Sequence, residues 1–220
     1  MLGQYSLRAV LSQKSGSFRE VDLDVHRREL ACQLGLSPAR IAAPEQVHSN
    51  IIEWATPGWV HQDADGLFTD DPQVILSLKV ADCAPIFFYH PLTRLRGLVH
   101  AGWRGLVAGI IPSSVDCIRA QNEDLSQVKV VIGPTIERDC YEVGVEVGEQ
   151  FPLKVRRSVP PDRHKLDIIA AIRVQLVDAG VPGSQIIDTG ICTLCDLRCH
   201  SYRRDGKRAG RMIAFFYQQS

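Results

Sequence analysis

The chain has 220 residues, of which 45% are hydrophobic, and its 25 basic residues balance 25 acidic ones to a net charge of zero. This balance argues against bulk nucleic-acid binding, and no apolar run reaches the ~18 residues of a membrane span. We therefore expect neither a nucleic-acid nor a membrane partner. The odd count of seven cysteines and the lack of a signal-like N-terminus argue against a secreted disulfide scaffold and indicate a reducing cytoplasm.

The first half of the chain is predicted to be mostly strands. Apolar residues at helical spacing predict one helix over 21–36, which ends near Gly35. Apolar alternation and β-branched or aromatic residues then predict four strands, over 51–55, 74–80, 86–89 and 95–100. A turn at 91–94 joins the last two strands into a hairpin. Residues 82–85 interrupt the strands.

The second half alternates less regularly between helices and strands. A helix is predicted from 102 to about 121, and Pro112 should kink or delay it. Two more helices are predicted over 143–151 and 166–179, the latter ending at Gly180. Short strands are predicted over 129–132, 186–188 and 212–217. Without strict βα alternation, we expect an α+β (mixed α/β) fold, with mixed sheets flanked by helices in a single domain over 1–220.

Three short segments each carry one candidate metal ligand: His48, Cys83 and His100. Imidazole and thiolate are zinc ligands, and three protein ligands leave a fourth position open for water or substrate, as in catalytic zinc sites. The separations of 35 and 17 residues fit no local finger, so tertiary structure must assemble such a site. Two alternatives stay open at this point. The residues are unrelated, or Cys83 and His100 form a metal-free nucleophile–base pair of a hydrolase.

Motifs around these residues occur in the same order as in a known family. They lie at 46–48, 64–67, 80–85, 99–105, 133–134 with 140–143, 192–193, 201–206 and 210–211. The chain from about Gln46 to its C-terminus thereby resembles the YfiH family, also called the laccase-domain, multicopper polyphenol oxidase or peptidoglycan-editing-factor family.

The resemblance implies a mixed α/β fold and a zinc ion bound by His48, Cys83 and His100, with copper as the alternative metal. It implies phosphorolysis of adenosine, inosine, guanosine and methylthioadenosine, together with adenosine deamination. The expected partners are then purine nucleosides and phosphate; the oligomeric state stays open. Some members are described as copper-dependent polyphenol oxidases and others as peptidoglycan-precursor amidases. Both remain alternatives, as does an inactive metal-binding module.

The N-terminal part departs from the family pattern. Residues 11–18 resemble a shortened remnant of a longer Gly-rich segment found in the family. We therefore expect the N-terminal part, about 1–40, to be shorter than in other members. His26-Arg27 occupies the place of a usual Asn-Arg pair, and Cys199-His200 replaces an aromatic pair.

Several further residues are candidates for the chemistry. Asp65 and Asp82 lie near the proposed ligands and could act as general acid or base, orient a ligand histidine, or merely form turns. Arg104 follows a possible helix start and could bind phosphate or form a structural ion pair. The matching motifs add candidate substrate-binding residues: Gln46, Tyr141 and Arg203.

A second cysteine-rich stretch holds Cys192, Cys195, Cys199 and His200 within nine residues. These side chains resemble a metal-binding knuckle. They are crowded in sequence, and no second ligand pair follows at the spacing of a zinc finger. The family resemblance accounts for Cys192 without any metal.

Overall fold

Three β-sheets organise residues 6–13, 23–121 and 123–219, the part of the chain that this computed structural model describes. The five-stranded sheet has the order β1 (Ser6–Leu11), β14 (Met212–Gln219), β6 (Ile75–Val80), β2 (Ile41–Pro44) and β4 (Val60–His61). The six-stranded sheet has the order β13 (Ile186–Asp188), β9 (Lys129–Ile132), β7 (Ala84–Tyr89), β8 (Arg96–Ala101), β5 (Gly66–Thr69) and β3 (Ile52–Trp54). The three-stranded sheet has the order β10 (Glu142–Gly144), β12 (Arg163–Leu166) and β11 (Arg156–Val159).

Six α-helices accompany these sheets in the described residues. They are α1 (Leu23–Gln33), α2 (Trp103–Ala108), α3 (Ile110–Arg119), α4 (Val145–Gly148), α5 (Ile168–Asp178) and α6 (Tyr202–Asp205). Both larger sheets contain parallel and antiparallel pairs, so the predicted α+β (mixed α/β) class is confirmed. In the described parts of the chain, no helix combines the length and apolar character that crossing a bilayer requires.

The central strands of the six-stranded sheet, β7, β8 and β5, are buried on both faces. Ile86 of β7 packs in one apolar cluster with residues of α3 and α5. Phe87, its neighbour in sequence, packs on the other face against the five-stranded sheet, with its ring centroid 5.3 Å from that of Phe216. This double coverage explains the continuous apolar runs in β7 and β8. These central strands form a rigid base for whatever lies at their ends.

The helix predicted over 102–121 is two helices, and its break lies at Gly109 rather than at Pro112. Gly109 adopts a φ of 94°, in the left-handed region, and ends α2 there. Pro112 lies in the first turn of α3, where a backbone N–H would have no intrahelical partner. The proline is therefore accommodated without a kink.

Two other boundaries differ from the predictions. The helix predicted over 143–151 is wrong in its first part, because Val143 pairs with His164 between β10 and β12 and only α4 is helical. The interruption predicted at 82–85 is shorter, because β7 already begins at Ala84. In both cases strand pairing with a distant segment overrides the local signal.

The remaining predicted elements are confirmed with small shifts of their ends. The helices predicted over 21–36 and 166–179 are α1 and α5, and the predicted hairpin is the antiparallel pair β7–β8. Several strands were not predicted: β1, β2, β4, β5, β10, β11 and β12. Residues 14–18 of the predicted N-terminal remnant lie outside the described residues. His26 and Arg27 are buried on α1.

Candidate metal centre

Cys83 and His100 are brought together by the β7–β8 hairpin. Cys83 directly precedes β7, and His100 lies near the end of β8, opposite Pro85. Gly102 follows β8 and packs directly on the centre. A Cβ atom at Gly102 would lie 2.8 Å from Cys83 Sγ and 3.2 Å from the His48 ring. Only glycine fits there without displacing these side chains.

His48 lies on a loop whose backbone conformation is held by side-chain hydrogen bonds. Gln46 and His48 have φ values of 63° and 64°, which are unfavourable for residues other than glycine. The Gln46 amide donates to the carbonyl of Lys79 at 2.7 Å and accepts from its N–H at 2.8 Å, which anchors the loop to β6. Gln46 therefore acts on the loop backbone, and the prediction that it binds substrate stays a prediction.

The three predicted ligands meet in space. Their donor atoms all lie within 4.8 Å of one another, and Cys83 Sγ is 4.0 Å from His48 Nε2. The two imidazole rings stand edge to face with centroids 4.9 Å apart. His100 is buried, Cys83 is half-buried and His48 is exposed, so the cluster opens to solvent on the His48 side. This donor set suits a transition-metal ion with an open coordination position.

Asp65 lies behind both histidines. The Nδ1–H of His100 donates to Asp65 Oδ1 at 2.8 Å, which leaves Nε2 of that ring facing the cluster. Asp65 Oδ2 accepts from the N–H groups of Val47 and Ser49, at 3.1 and 2.6 Å, and from the Ser49 hydroxyl at 3.0 Å. Burial raises the pKa of this carboxyl, but the bonds from His100 and Ser49 bring the pKa below its ordinary value. Asp65 is thus an ionised carboxylate that orients ligands.

The negative charge of Cys83 and the positive charge of His100 stabilise each other. Burial raises the pKa of the Cys83 thiol, but the charge and hydrogen bonding of His100 and His48 outweigh burial and lower it to about 6. Burial lowers the pKa of His100, but Cys83 and Asp65 outweigh that effect and raise it to about 9. At neutral pH the metal-free cluster therefore holds a thiolate, which is the form that binds metals and attacks electrophiles.

Asp82 holds the backbone next to Cys83. Its Oδ1 accepts from the Thr193 hydroxyl at 2.6 Å, and its Oδ2 accepts from the N–H of Arg203 at 2.6 Å. Its carbonyl accepts from the Thr135 hydroxyl, also at 2.6 Å. These bonds secure a φ of 84° at Asp82. Both carboxylate oxygens are thus engaged in fixing the Cys83 loop.

A rim of aromatic and cationic side chains borders the cluster. The Arg203 guanidinium lies 5.0 Å from the centroid of the Tyr141 ring and donates to the carbonyl of Glu142. The exposed Arg104 stacks on Trp103 at 4.4 Å. Burial, and then the charge of Cys83, raise the pKa of Tyr141 to about 12, against the opposing charges of Arg203 and Arg104. The predicted residues Tyr141, Arg203 and Arg104 therefore share one environment with Cys83.

Residue patterns alone did not identify the supporting residues Gly102, Thr135 and Thr193. Gly102 and Thr193 lie inside the matching motifs, Gly102 two residues after His100 and Thr193 directly after Cys192. A small or hydroxyl-bearing residue inside such a motif is the sequence feature that could have identified them as supporting residues. Nothing in the sequence marks Thr135, which lies 53 residues from Asp82.

Comparison with known proteins finds related sequences and a closely similar fold. A family model described as multi-copper polyphenol oxidoreductase laccase matches residues 18–219. The purine nucleoside phosphorylase YlmD of Geobacillus stearothermophilus is 36% identical over 234 residues, which cover 92% of this chain and 85% of the relative. The adenosine deaminase RL5 of an unknown prokaryotic organism is 30% identical, over 88% of this chain and 80% of its own. The crystal structure of YlmD from Geobacillus stearothermophilus superposes with a TM-score of 0.90 at 33% identity, covering 97% of this chain and 92% of that chain.

Replacing Asp65 by asparagine should weaken metal binding at the centre. The amide keeps the shape of the carboxylate but loses the charge that holds the Nδ1–H form of His100. We expect the affinity for Co²⁺, measured by absorption titration, to fall about 10- to 100-fold. Asp63→Asn, an exposed change two residues away, is the matched control. Equal affinity in the two variants would contradict this role of Asp65.

In the metal-free protein, Cys83 should react with iodoacetamide as a thiolate. Its reactivity should rise through about pH 6, because the thiolate forms as the pH exceeds the pKa. Peptide mapping by mass spectrometry after brief alkylation measures this profile. Cys117, whose pKa burial raises, should react only at higher pH in the same sample. A Cys83 profile that coincides with that of Cys117 would refute the assigned charge state.

Proposed function

The chain belongs to the multi-copper polyphenol oxidoreductase laccase family, and on that premise we propose that it is a zinc-dependent purine nucleoside phosphorylase that also deaminates adenosine. The proposed substrates are adenosine, inosine, guanosine and methylthioadenosine, with phosphate as co-substrate. The observation that carries the proposal is an open-sided His-Cys-His cluster bordered by arginine and tyrosine side chains. The names of the relatives, a purine nucleoside phosphorylase and an adenosine deaminase, support both reactions.

The residues of the cluster fit a zinc ion. His48, Cys83 and His100 would hold it, because two imidazoles and one thiolate form a borderline-soft donor set and a fourth position stays accessible from the solvent side. Asp65 would keep His100 in the tautomer that offers Nε2 as a ligand. Bound there, zinc would supply a Lewis acid and lower the pKa of a water molecule.

The rim residues would bind the substrates. In phosphorolysis, phosphate attacks C1′ of the ribose, and the purine leaves with the electrons of the glycosidic bond. The guanidinium groups of Arg203 and Arg104 would hold the phosphate by charge-assisted hydrogen bonds. Tyr141 keeps its proton at neutral pH, since its pKa is raised to about 12, and its hydroxyl would donate a hydrogen bond to the nucleoside.

Asp65 and Asp82 would act as positioning residues rather than as proton carriers. Both oxygens of each carboxylate already accept hydrogen bonds from the protein. Asp65 would fix His100, and Asp82 would fix the backbone of Cys83. In deamination, the oxygen of a water molecule bonds to C6 of the adenine ring, and the C6–N bond breaks as the amino group takes a proton from that water and leaves as ammonia.

One observation favours this function over oxidation of phenols with copper. Multi-electron reduction of oxygen requires several copper ions, which are bound largely by histidine. Across residues 6–13, 23–121 and 123–219, His48, Cys83 and His100 make up the one group of three or more metal-ligating side chains that includes histidine. This donor set matches a one-ion centre.

We also propose that the protein works in the cytoplasm. All seven cysteines are free thiols, and four of them lie in the two clusters, which oxidation would alter. A reducing compartment preserves such thiols.

Replacing Cys83 by alanine should remove one equivalent of zinc and phosphorolysis together. Losing a Lewis acid worth several kcal/mol lowers the rate at least about a thousandfold. Elemental analysis and inosine turnover with and without phosphate measure both effects. Cys32→Ala, an exposed change on α1, is the control. Full zinc content and full activity in Cys83→Ala would overturn the proposal, as would oxidation of phenols by the copper-loaded protein that leaves inosine untouched.

Replacing Arg203 by alanine should raise the KM for phosphate about 10- to 100-fold, since a hydrogen bond to a charged group contributes about 1.5–3 kcal/mol. The backbone bond from Arg203 to Asp82 survives this change, so zinc content should stay constant. Arg203→Lys should recover part of the loss. Arg208→Ala, an exposed change in the same segment, is the control. An unchanged KM for phosphate in Arg203→Ala would remove Arg203 from the phosphate site.

A further inference from the structure

A second group of thiols lies outside the centre described above. The sulfur atoms of Cys140, Cys192 and Cys195 all lie within 4.8 Å of one another. Cys199 and His200, which the sequence grouped with Cys192 and Cys195, do not belong to it. Cys199 is buried in the apolar cluster between the two larger sheets, and the ring of His200 packs against Gly210. The sequence thus indicated two of the three members of this group.

Two distant segments form the group. Thr135 and Cys192 form a parallel β-bridge, and the N–H of Thr193 donates to the carbonyl of Thr135 at 3.1 Å. This contact places the turn 192–195 next to Cys140. Arg204 donates to the carbonyls of Thr193 and Leu194, at 3.2 and 3.1 Å, and so fixes the turn. The sulfur positions are therefore set by the fold before any ligand arrives.

The sulfur spacing suits a bound cation. Zinc holds thiolates at about 2.3 Å in a tetrahedron, which places their sulfur atoms about 3.8 Å apart. The Sγ atoms of Cys140 and Cys195 are 3.3 Å apart, and no pair in the group exceeds 4.8 Å. A single ion can therefore reach all three sulfur atoms after small movements of the side chains.

Backbone N–H groups surround the sulfur atom of one member of the group. The N–H groups of Glu137, Cys195 and Leu194 donate hydrogen bonds to Cys192. Two of these donors belong to the Cys-x-x-Cys turn itself, the spacing at which structural zinc sites take a pair of ligands. Hydrogen bonds to sulfur also tune thiolate-bound metal centres.

The group is accessible from the surface. Cys195 is exposed, and Cys192 and Cys195 line an open depression of about 640 Å³ together with Glu137 and Asp196. We propose that Cys140, Cys192 and Cys195 bind a second zinc ion as three thiolates, with its fourth position open to this depression. The ion would also brace the first centre, because Thr193 in the same turn holds Asp82 beside Cys83.

The test removes two ligands of the first centre by mutation and measures how much zinc the protein still binds. The double variant His48→Ala, Cys83→Ser, kept under a phosphine reductant and equilibrated with zinc chloride, should retain one zinc per chain. Adding Cys195→Ser should weaken this binding at least a hundredfold, whereas adding Cys32→Ser, another exposed cysteine, should leave it unchanged. Cd²⁺ titration of the double variant should give a cadmium–thiolate band that saturates at one equivalent.

A second readout uses the otherwise unaltered chain. Zinc should protect Cys195 from alkylation and leave Cys32 reactive. The proposal is overturned if the double variant holds no zinc, if Cys195→Ser holds as much as the double variant, or if zinc fails to protect Cys195. A Cys140–Cys195 disulfide found in the reduced, zinc-treated protein would also overturn it. No arm uses turnover, so failure here is distinct from failure of the proposed enzymatic function.

Discussion

The buried carboxylate of Asp65 is the interaction on which the candidate centre depends. It joins two segments far apart in sequence, the loop that carries His48 and the strand that carries His100. Burial of an unpaired carboxylate at this depth would lower the free energy of unfolding by several kcal/mol. Hydrogen bonds to both of its oxygens offset that cost. The bond from His100 fixes the tautomer of that ring, and the bonds from Val47 and Ser49 fix the loop that carries His48. One charge therefore sets the geometry of two ligands.

The sheet around the centre explains why such a site can hold its shape. The central strands β7 and β8 are covered on one face by helices and on the other by the five-stranded sheet. Three residues in the loops around the centre, Gln46, His48 and Asp82, have positive φ angles, which cost about 1–3 kcal/mol each. Side-chain bonds to Lys79, Asp65 and Thr193 hold these conformations. The ligands are thereby positioned before a metal binds.

Sequence reasoning reached the ligands through their motifs and not through their spacing. The long periodic helices and the β7–β8 hairpin follow from local pattern and were predicted. The break at Gly109 was missed because Pro112 is the stronger local signal, although a proline in the first helical turn costs little. The partnership of Cys140 with Cys192 was not predictable, since a single β-bridge at Thr135 creates it. Orientation of a ligand histidine was one of the roles predicted for Asp65, and the direction of its side chain toward His100 distinguishes this role from the others.

The two thiol-containing clusters are linked through one turn, because Thr193 follows Cys192 and holds Asp82 next to Cys83. We propose that the first cluster is a one-ion zinc centre where a nucleoside and phosphate meet. Anomalous diffraction at the zinc edge, from crystals soaked with hypoxanthine and phosphate, is the decisive measurement. We expect an anomalous peak between His48, Cys83 and His100, with the purine beside Tyr141 and the phosphate on Arg203. A map with no zinc at these three residues, or with the ligands bound elsewhere, would contradict it.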